Sequence, residues 1–295
     1  MLLERLLSLI ADGEDAVLAY SEIYGWGRTG VCEAARGINP RAPLPNGDDG
    51  AFRPHIFRNY VHDQVDYNPE TGGPDAEVIA VGQTAASGRA QTRFAGRIHH
   101  NYLVRVRGDN EGIGVKASYS VIAFNHLREA RGLNSRFGGF NLFIGNRVED
   151  VIGGGSFHRT GHGSVSLGEH IPGSIVIDDG DTLWTDTAGR SRLRSDSVEI
   201  VGATYDSLRI GDKYEYGPYD AVHTLVRACN MAPVLGSEQS GTIDEWDQPS
   251  PYPVPTPITL TESDVGVHAA GGVTIVPLED ISSYVDALDE RACAQ

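Results

Sequence analysis

The sequence predicts an all-β protein: a right-handed parallel β-helix, or solenoid, with an N-terminal helical cap and an irregular C-terminal segment. Three observations predict it. Four windows, IFRNYVHDQV, IHHNYLVRV, IAFNHLREA and FIGNRVEDV, align on an asparagine with an apolar entry before it and Val or Leu two residues after it. Those asparagines, Asn59, Asn101, Asn125 and Asn146, are spaced by 42, 24 and 21 residues, so one interval reads as two periods of 21. Periods of this size built from short β-like runs mark a solenoid. Finally, no helix-length periodic segment intervenes, which argues against leucine-rich or βαβ repeats. Inward asparagines stacked coil on coil can bond to one another and satisfy groups that would otherwise be buried unpaired.

The elements follow in order. Residues 1–53 form the cap: Leu2, Leu3, Leu6, Leu7 and Ile10 fall at helical spacing, Ala16, Val17 and Tyr20 continue after an acidic break, and one helix is expected over 1–24. Residues 25–53 (GWGRTG, NPRAPLPNGDDG) read as loops. Residues 54–235 form the β-helix. Its period is hardest to follow after 152, where strand-like runs such as GSVSLG and DSVEIVGATYDSLRIGD continue. Residues 236–295 form a Pro-rich linker or strap (SEQSGTIDEWDQPSPYPVPTP) and a C-terminal cap, expected as a short strand and an acidic helix. Such caps cover the apolar ends that a solenoid otherwise exposes.

Composition narrows the function. The chain has 295 residues, 40% of them apolar, enough for a sizeable core, and no apolar run long enough for a spanning helix. Three scattered cysteines encode neither a disulfide framework nor a zinc knuckle. The net charge is −16, which speaks against nucleic acid as partner. Residues 89–147 nevertheless hold ten basic side chains against three acids, +7, so the remainder is −23. Such an island suits an anionic ligand.

The densest polar constellation lies in that window. Asp109 and Glu111 are two apart, hence on one face of a strand. Lys116, one of only two lysines, follows, and Arg136 comes 20 residues later, about one coil. Residues one period apart lie on adjacent coils about 4.8 Å apart, so Lys116 and Arg136 can share one lateral face. A second cluster, His158, His162 and His170 with Glu169, could hold a metal or line a groove.

The order Asp109-x-Glu111, Lys116 in GVKAS, Asn125, Gly132 and the triplet Arg136-Phe137-Gly138 before Asn146 resembles polysaccharide lyase family 6, the alginate lyases and chondroitinase B. EVIAVG (77–82) and HHNYLVRVRGDNE are similar to the family's neighbouring strand and turn, and the likeness spans about residues 55–150. Phe137 stands where the family has histidine. The resemblance implies β-elimination on an alginate- or glycosaminoglycan-like uronate polymer, with Lys116 as base and Arg136 as acid or charge stabiliser. It also implies calcium held by Asp109 and Glu111, with Glu77 close enough to join them. Arg107, His126, Arg131, Phe137 and His162 are the expected substrate contacts. The alternatives are a non-catalytic glycan-binding β-helix, such as a virion or surface fibre, and a polygalacturonase-like hydrolase suggested by Gly161-His162-Gly163. The expected partner is an anionic polysaccharide, not nucleic acid or membrane, and a homo-oligomer is compatible. The expected setting is extracellular or virion-associated, although no signal peptide is legible.

Overall fold

The computed structural model describes residues 15–24, 38, 53–64, 78–82, 94–136, 138–152, 156–178, 195–212, 221, 223–235 and 242–267. All pairings between their strands are parallel, and they form a right-handed β-helix. The first face stacks nine strands in sequence order, from Val17–Ala19 through His55–Phe57, Arg97–His99, Val121–Ala123 and Leu142–Ile144 to Ile243–Gln248. The second and third faces belong to a ten-stranded sheet whose longer strands, Tyr102–Lys116, His126–Ser135 and His170–Asp178, bend round the corner between them. Ile79–Gly82 pairs with the far end of Tyr102–Lys116, which separates the third face from the second, and Ile79 is bridged on its other side by Ile38.

Backbone conformation fixes the coil. Tyr20, Arg58, His100, Phe124, Gly145, Gly168, Gly202 and Ala228 turn the corner out of the first face with φ between 51° and 62°. Five residues earlier in each coil, Asp15, Arg53, Ala95, Tyr119, Phe140, Gly163, Ser197 and His223 turn into that face, again with positive φ. Asp63, Arg105, Glu129 and Asp150 mark the next corner, five residues later. Left-handed backbone costs a non-glycine residue about 1–2 kcal/mol, so the ladder bonds it aligns must offset the strain. With these spacings constant, variation in coil length falls on the third side.

The interior is apolar, with Ile56, Ile98, Ile122 and Phe143 stacked coil on coil. At the second-face corner the asparagines form the anticipated ladder. The Nδ2 of Asn59 donates to Asn101 Oδ1 (2.9 Å), that of Asn101 to Asn125 Oδ1 (3.0 Å), and that of Asn125 to Asn146 Oδ1 (3.1 Å). Asn146 then donates to Glu169 Oε1 (3.1 Å), whose charge is met inside the solenoid by Arg159 at 2.8 Å. Arg159 also lies 4.1 Å over the Phe143 ring.

Two expectations need correction. The 42-residue interval is a single coil, because Asn59 bonds directly to Asn101; the surplus falls in sequence between the corners at Asp63 and Ala95. Residues 15–24 are not helical. Val17–Ala19 and Glu22–Tyr24 are strands of the first coil, separated by Tyr20 at φ 53°, and the backbone bonds go to the next coil instead of along a helix. The leucine-rich stretch before them and the expected acidic C-terminal helix lie outside the described residues. Paired strands therefore run from Val17 to Gln248, further than 54–235 in both directions.

Residues 251–267 form a strap that returns along the second-face corner. Its later residues meet earlier coils. A Cβ at Gly168, where φ is +62°, would stand 2.4 Å from the Pro255 carbonyl, so only glycine allows the strap this close. Further along, the Leu260 N–H donates to His126 Nδ1 (3.1 Å), the Tyr60 hydroxyl to Glu262 (2.6 Å), and the Gly266 N–H to the Arg58 carbonyl (2.7 Å). Leu260 and Val265 pack on Tyr60, Tyr102 and Val104. Among the described residues no helix is long and apolar enough to cross a membrane.

Candidate active site

Lys116 ends the strand Tyr102–Lys116 on the third face, with Gly82 as its register partner on the preceding coil. On the following coil Ser135 pairs with Val115, and the Arg136 N–H donates to the Val115 carbonyl at 3.1 Å. Arg136 therefore follows directly beside Lys116.

Glu111 completes the group. It precedes Lys116 by five residues, which on an unbroken strand would put the two side chains on opposite faces. The register shift between Glu111 and Ile113 absorbs one residue and restores the parity. One carboxylate oxygen then lies 3.6 Å from Lys116 Nζ and the other 3.2 Å from Arg136 Nη1. The Lys116 and Glu111 side chains are 4% and 2% exposed, and that of Arg136 is 20% exposed. Two cations thus share one buried carboxylate, and the arginine is the member that reaches solvent.

Calcium prefers six to eight oxygen ligands, supplied mostly by several carboxylates and carbonyls. Of the three carboxylates expected to hold it, Glu77 and the Asp109 side chain lie outside the described residues, and both Glu111 oxygens face cations. Among the described residues no group of three or more His, Cys, Asp or Glu could hold a metal. The calcium expectation thus rests mainly on residues outside the described ones.

The remaining candidates are dispersed. His126 is not a groove residue: it sits at the second-face corner, 2% exposed, between the strap at Leu260 and Glu149 Oε2 (3.2 Å). Arg131 lies in the bend of the strand His126–Ser135, half-buried. His162 stands at the corner entering the first face, edge-on to Phe140 at 5.1 Å. The Arg107 side chain and Phe137 lie outside the described residues. The His158, His162, His170 and Glu169 cluster is not assembled, because Glu169 points into the solenoid against Arg159 while His170 starts a second-face strand. Sequence reasoning missed Tyr119 and Phe140, stacked at 5.0 Å on the coils of Lys116 and Arg136. Their spacing of 21 equals that of Asn125 and Asn146, and the same period applied to aromatics finds them.

Fold and site together define a single-chain parallel β-helix with a cationic pair at one corner of adjacent coils. No protein-family profile and no curated protein matches the sequence. Solved structures do match the fold. A PL6 alginate lyase in complex with a trisaccharide superposes with a TM-score of 0.57 at 15% identity, covering 77% of this chain and 52% of that one. A mannuronic acid-specific family 6 polysaccharide lyase from the human gut microbiota gives 0.55 at 21%, covering 79% and 51%. The alginate lyase AlyF-OU02 in complex with G6 gives 0.56 at 13%, covering 88% and 65%. The chain spans about half the length of the first two. The family whose motifs the sequence resembles is thus also one whose fold the chain shares.

Proposed function

We propose that the chain is a polysaccharide lyase that cleaves a uronate polymer of the alginate type by β-elimination. The observation that carries the reading is the placement of Lys116 and Arg136 on adjacent coils around the buried Glu111, in a fold shared with alginate lyases. The chemistry needs a cation on the uronate carboxylate, so that the proton on the neighbouring carbon can leave, and a base to take it. Arg136, the more exposed cation, is suited to hold the carboxylate with two parallel N–H donors. Lys116, a cation beside Glu111 at rest, must first release its proton and then takes the C5 proton. The electron pair of that C–H bond forms the C4–C5 double bond as the C4–O bond breaks. The leaving oxygen receives a proton, for which the newly formed Lys116 ammonium is the adjacent donor. Glu111 keeps both side chains on one face.

The test is incubation with polymannuronate, polyguluronate and chondroitin while ultraviolet absorbance of an unsaturated uronate is followed. Absorbance that grows with wild type and not with Lys116→Ala is expected. Absence of signal on every polymer, or an unimpaired Lys116→Ala, overturns the reading.

A further inference from the structure

We propose that the C-terminal strap is an acid-released latch, operated by the buried His99–His100 pair beneath its last turn. Arg58, His100 and Phe124 form one corner column, which the strap crosses. The strap is fixed to Arg58 by Gly266 N–H donation to its carbonyl (2.7 Å) and by Arg58 Nη1 donation to the Asp264 carbonyl (3.2 Å). Two coils on, Leu260 is bonded to His126. His100 is the corner residue on the coil between those of Arg58 and Phe124 and is 2% exposed.

The histidines form a chain. His55 Nε2 meets His99 Nε2 at 2.5 Å, and His99 Nδ1 meets His100 Nδ1 at 2.9 Å. Three neutral imidazoles satisfy this chain, each supplying one N–H. A fourth proton has no acceptor within it. The surroundings oppose that proton too: Phe57 stacks on His99 at 5.3 Å and Phe124 packs on His100 at 5.3 Å. Burial is the largest cause of lowered proton affinity in both; for His99 it is followed by its neighbours His100 and His55 and then by the cations Arg58 and Arg97, and for His100 by Arg58. Tyr20 and Asp264 bear on Arg58 itself. Burial, reinforced by these cations, holds His99 at about 2 and His100 at about 3.

The sign follows from linkage. Groups that resist protonation when covered, and regain a pKa near 6.5 when uncovered, bind protons in the open form only, so opening is favoured as pH falls below about 6.5. Each histidine contributes a factor of about 30 between pH 8 and pH 5, and the pair up to about 10³. Protonation also places new positive charge beside Arg58, the residue that holds the strap's end. Opening uncovers Tyr60 and Tyr102, on which Leu260 and Val265 pack. The latch does not depend on the lyase reading.

The experiment is hydrogen exchange of amides 258–267 at pH 8 and pH 5, corrected for intrinsic rates, in the full chain. The expected result is strap protection reduced 30- to 1,000-fold at pH 5, while Leu103 and Leu127 amides in the core stay protected. A His99→Asn/His100→Asn variant should lose that dependence, and His100→Phe, which keeps a ring against Phe124, should keep about one factor of 30. Imidazole NMR on wild type gives a check that needs no variant: His99 and His100 stay neutral at pH 5 while the strap is protected. Strap protection independent of pH overturns the proposal. So does loss of core protection in parallel with the strap, or a His99 that titrates near 6.5 beneath a closed strap.

Discussion

Replacing Glu111 by glutamine removes the carboxylate that Lys116 and Arg136 share while keeping the side chain's shape. At separations of 3.6 and 3.2 Å and an effective dielectric of about 20, each attraction is worth about 5 kcal/mol before desolvation is subtracted. Removing one partner of a buried ion pair typically costs about 3–5 kcal/mol, because the remaining charge stays buried and uncompensated. Here both cations lose the carboxylate they share, and Arg136 is the more exposed of the two, so about 3–4 kcal/mol is expected. Equilibrium urea unfolding at neutral pH measures it. Lys116→Met in the Glu111→Gln background should recover part of the loss, giving a coupling of about 2 kcal/mol in the double-mutant cycle. A Glu111→Gln cost below about 1 kcal/mol, or strict additivity with Lys116→Met, refutes the shared-carboxylate geometry.

Other expectations follow from the ladder, the strap and the interior ion pair. Asn125→Ala strands the Asn101 N–H and the Ile98 carbonyl, which Asn125 now satisfies at 3.1 and 2.9 Å, and should lower stability by about 2–4 kcal/mol in urea unfolding. Gly168→Val drives a side chain into the Pro255 carbonyl and should make residues 251–267 susceptible to limited proteolysis while the coils resist. Arg159→Met leaves the Glu169 carboxylate, 1% exposed, without its cation and should cost about 3–5 kcal/mol by thermal or urea unfolding. An unchanged melting temperature in that variant contradicts the interior placement of the pair.

The fold was legible because its repeating interaction is a side-chain one. An asparagine that bonds its counterpart on the next coil must recur with the coil, and Asn101, Asn125 and Asn146 do. Its first interval misled because only the spacing between corners is constant: the stretch of sequence between the corners at Asp63 and Ala95 varies in length without disturbing the ladder, so 42 residues make one coil. The supposed helix over 1–24 failed in its second half for a related reason. Three-residue strands between left-handed corners carry too few residues for a period of two to appear, and Ala16, Val17 and Tyr20 match helical spacing by accident of the turn. At the site, the neighbouring positions of Lys116 and Arg136 follow from a 20-residue separation, but the place of Glu111 does not. Its side is set by a bulge, which reverses the parity that counting along a strand assigns. His126 looked like a groove residue because sequence alone shows no partner 134 positions away; the strap supplies it.

NMR of the chain ends released from purified alginate tests the central assignment most directly, since elimination and hydrolysis leave different atoms behind. Ends bearing a C4–C5 double bond from the wild-type protein, absent with Lys116→Ala and with Arg136→Ala, are the expected result. Saturated ends, or olefinic ends that persist without the lysine, contradict the assignment of Lys116 and Arg136 as the reacting pair.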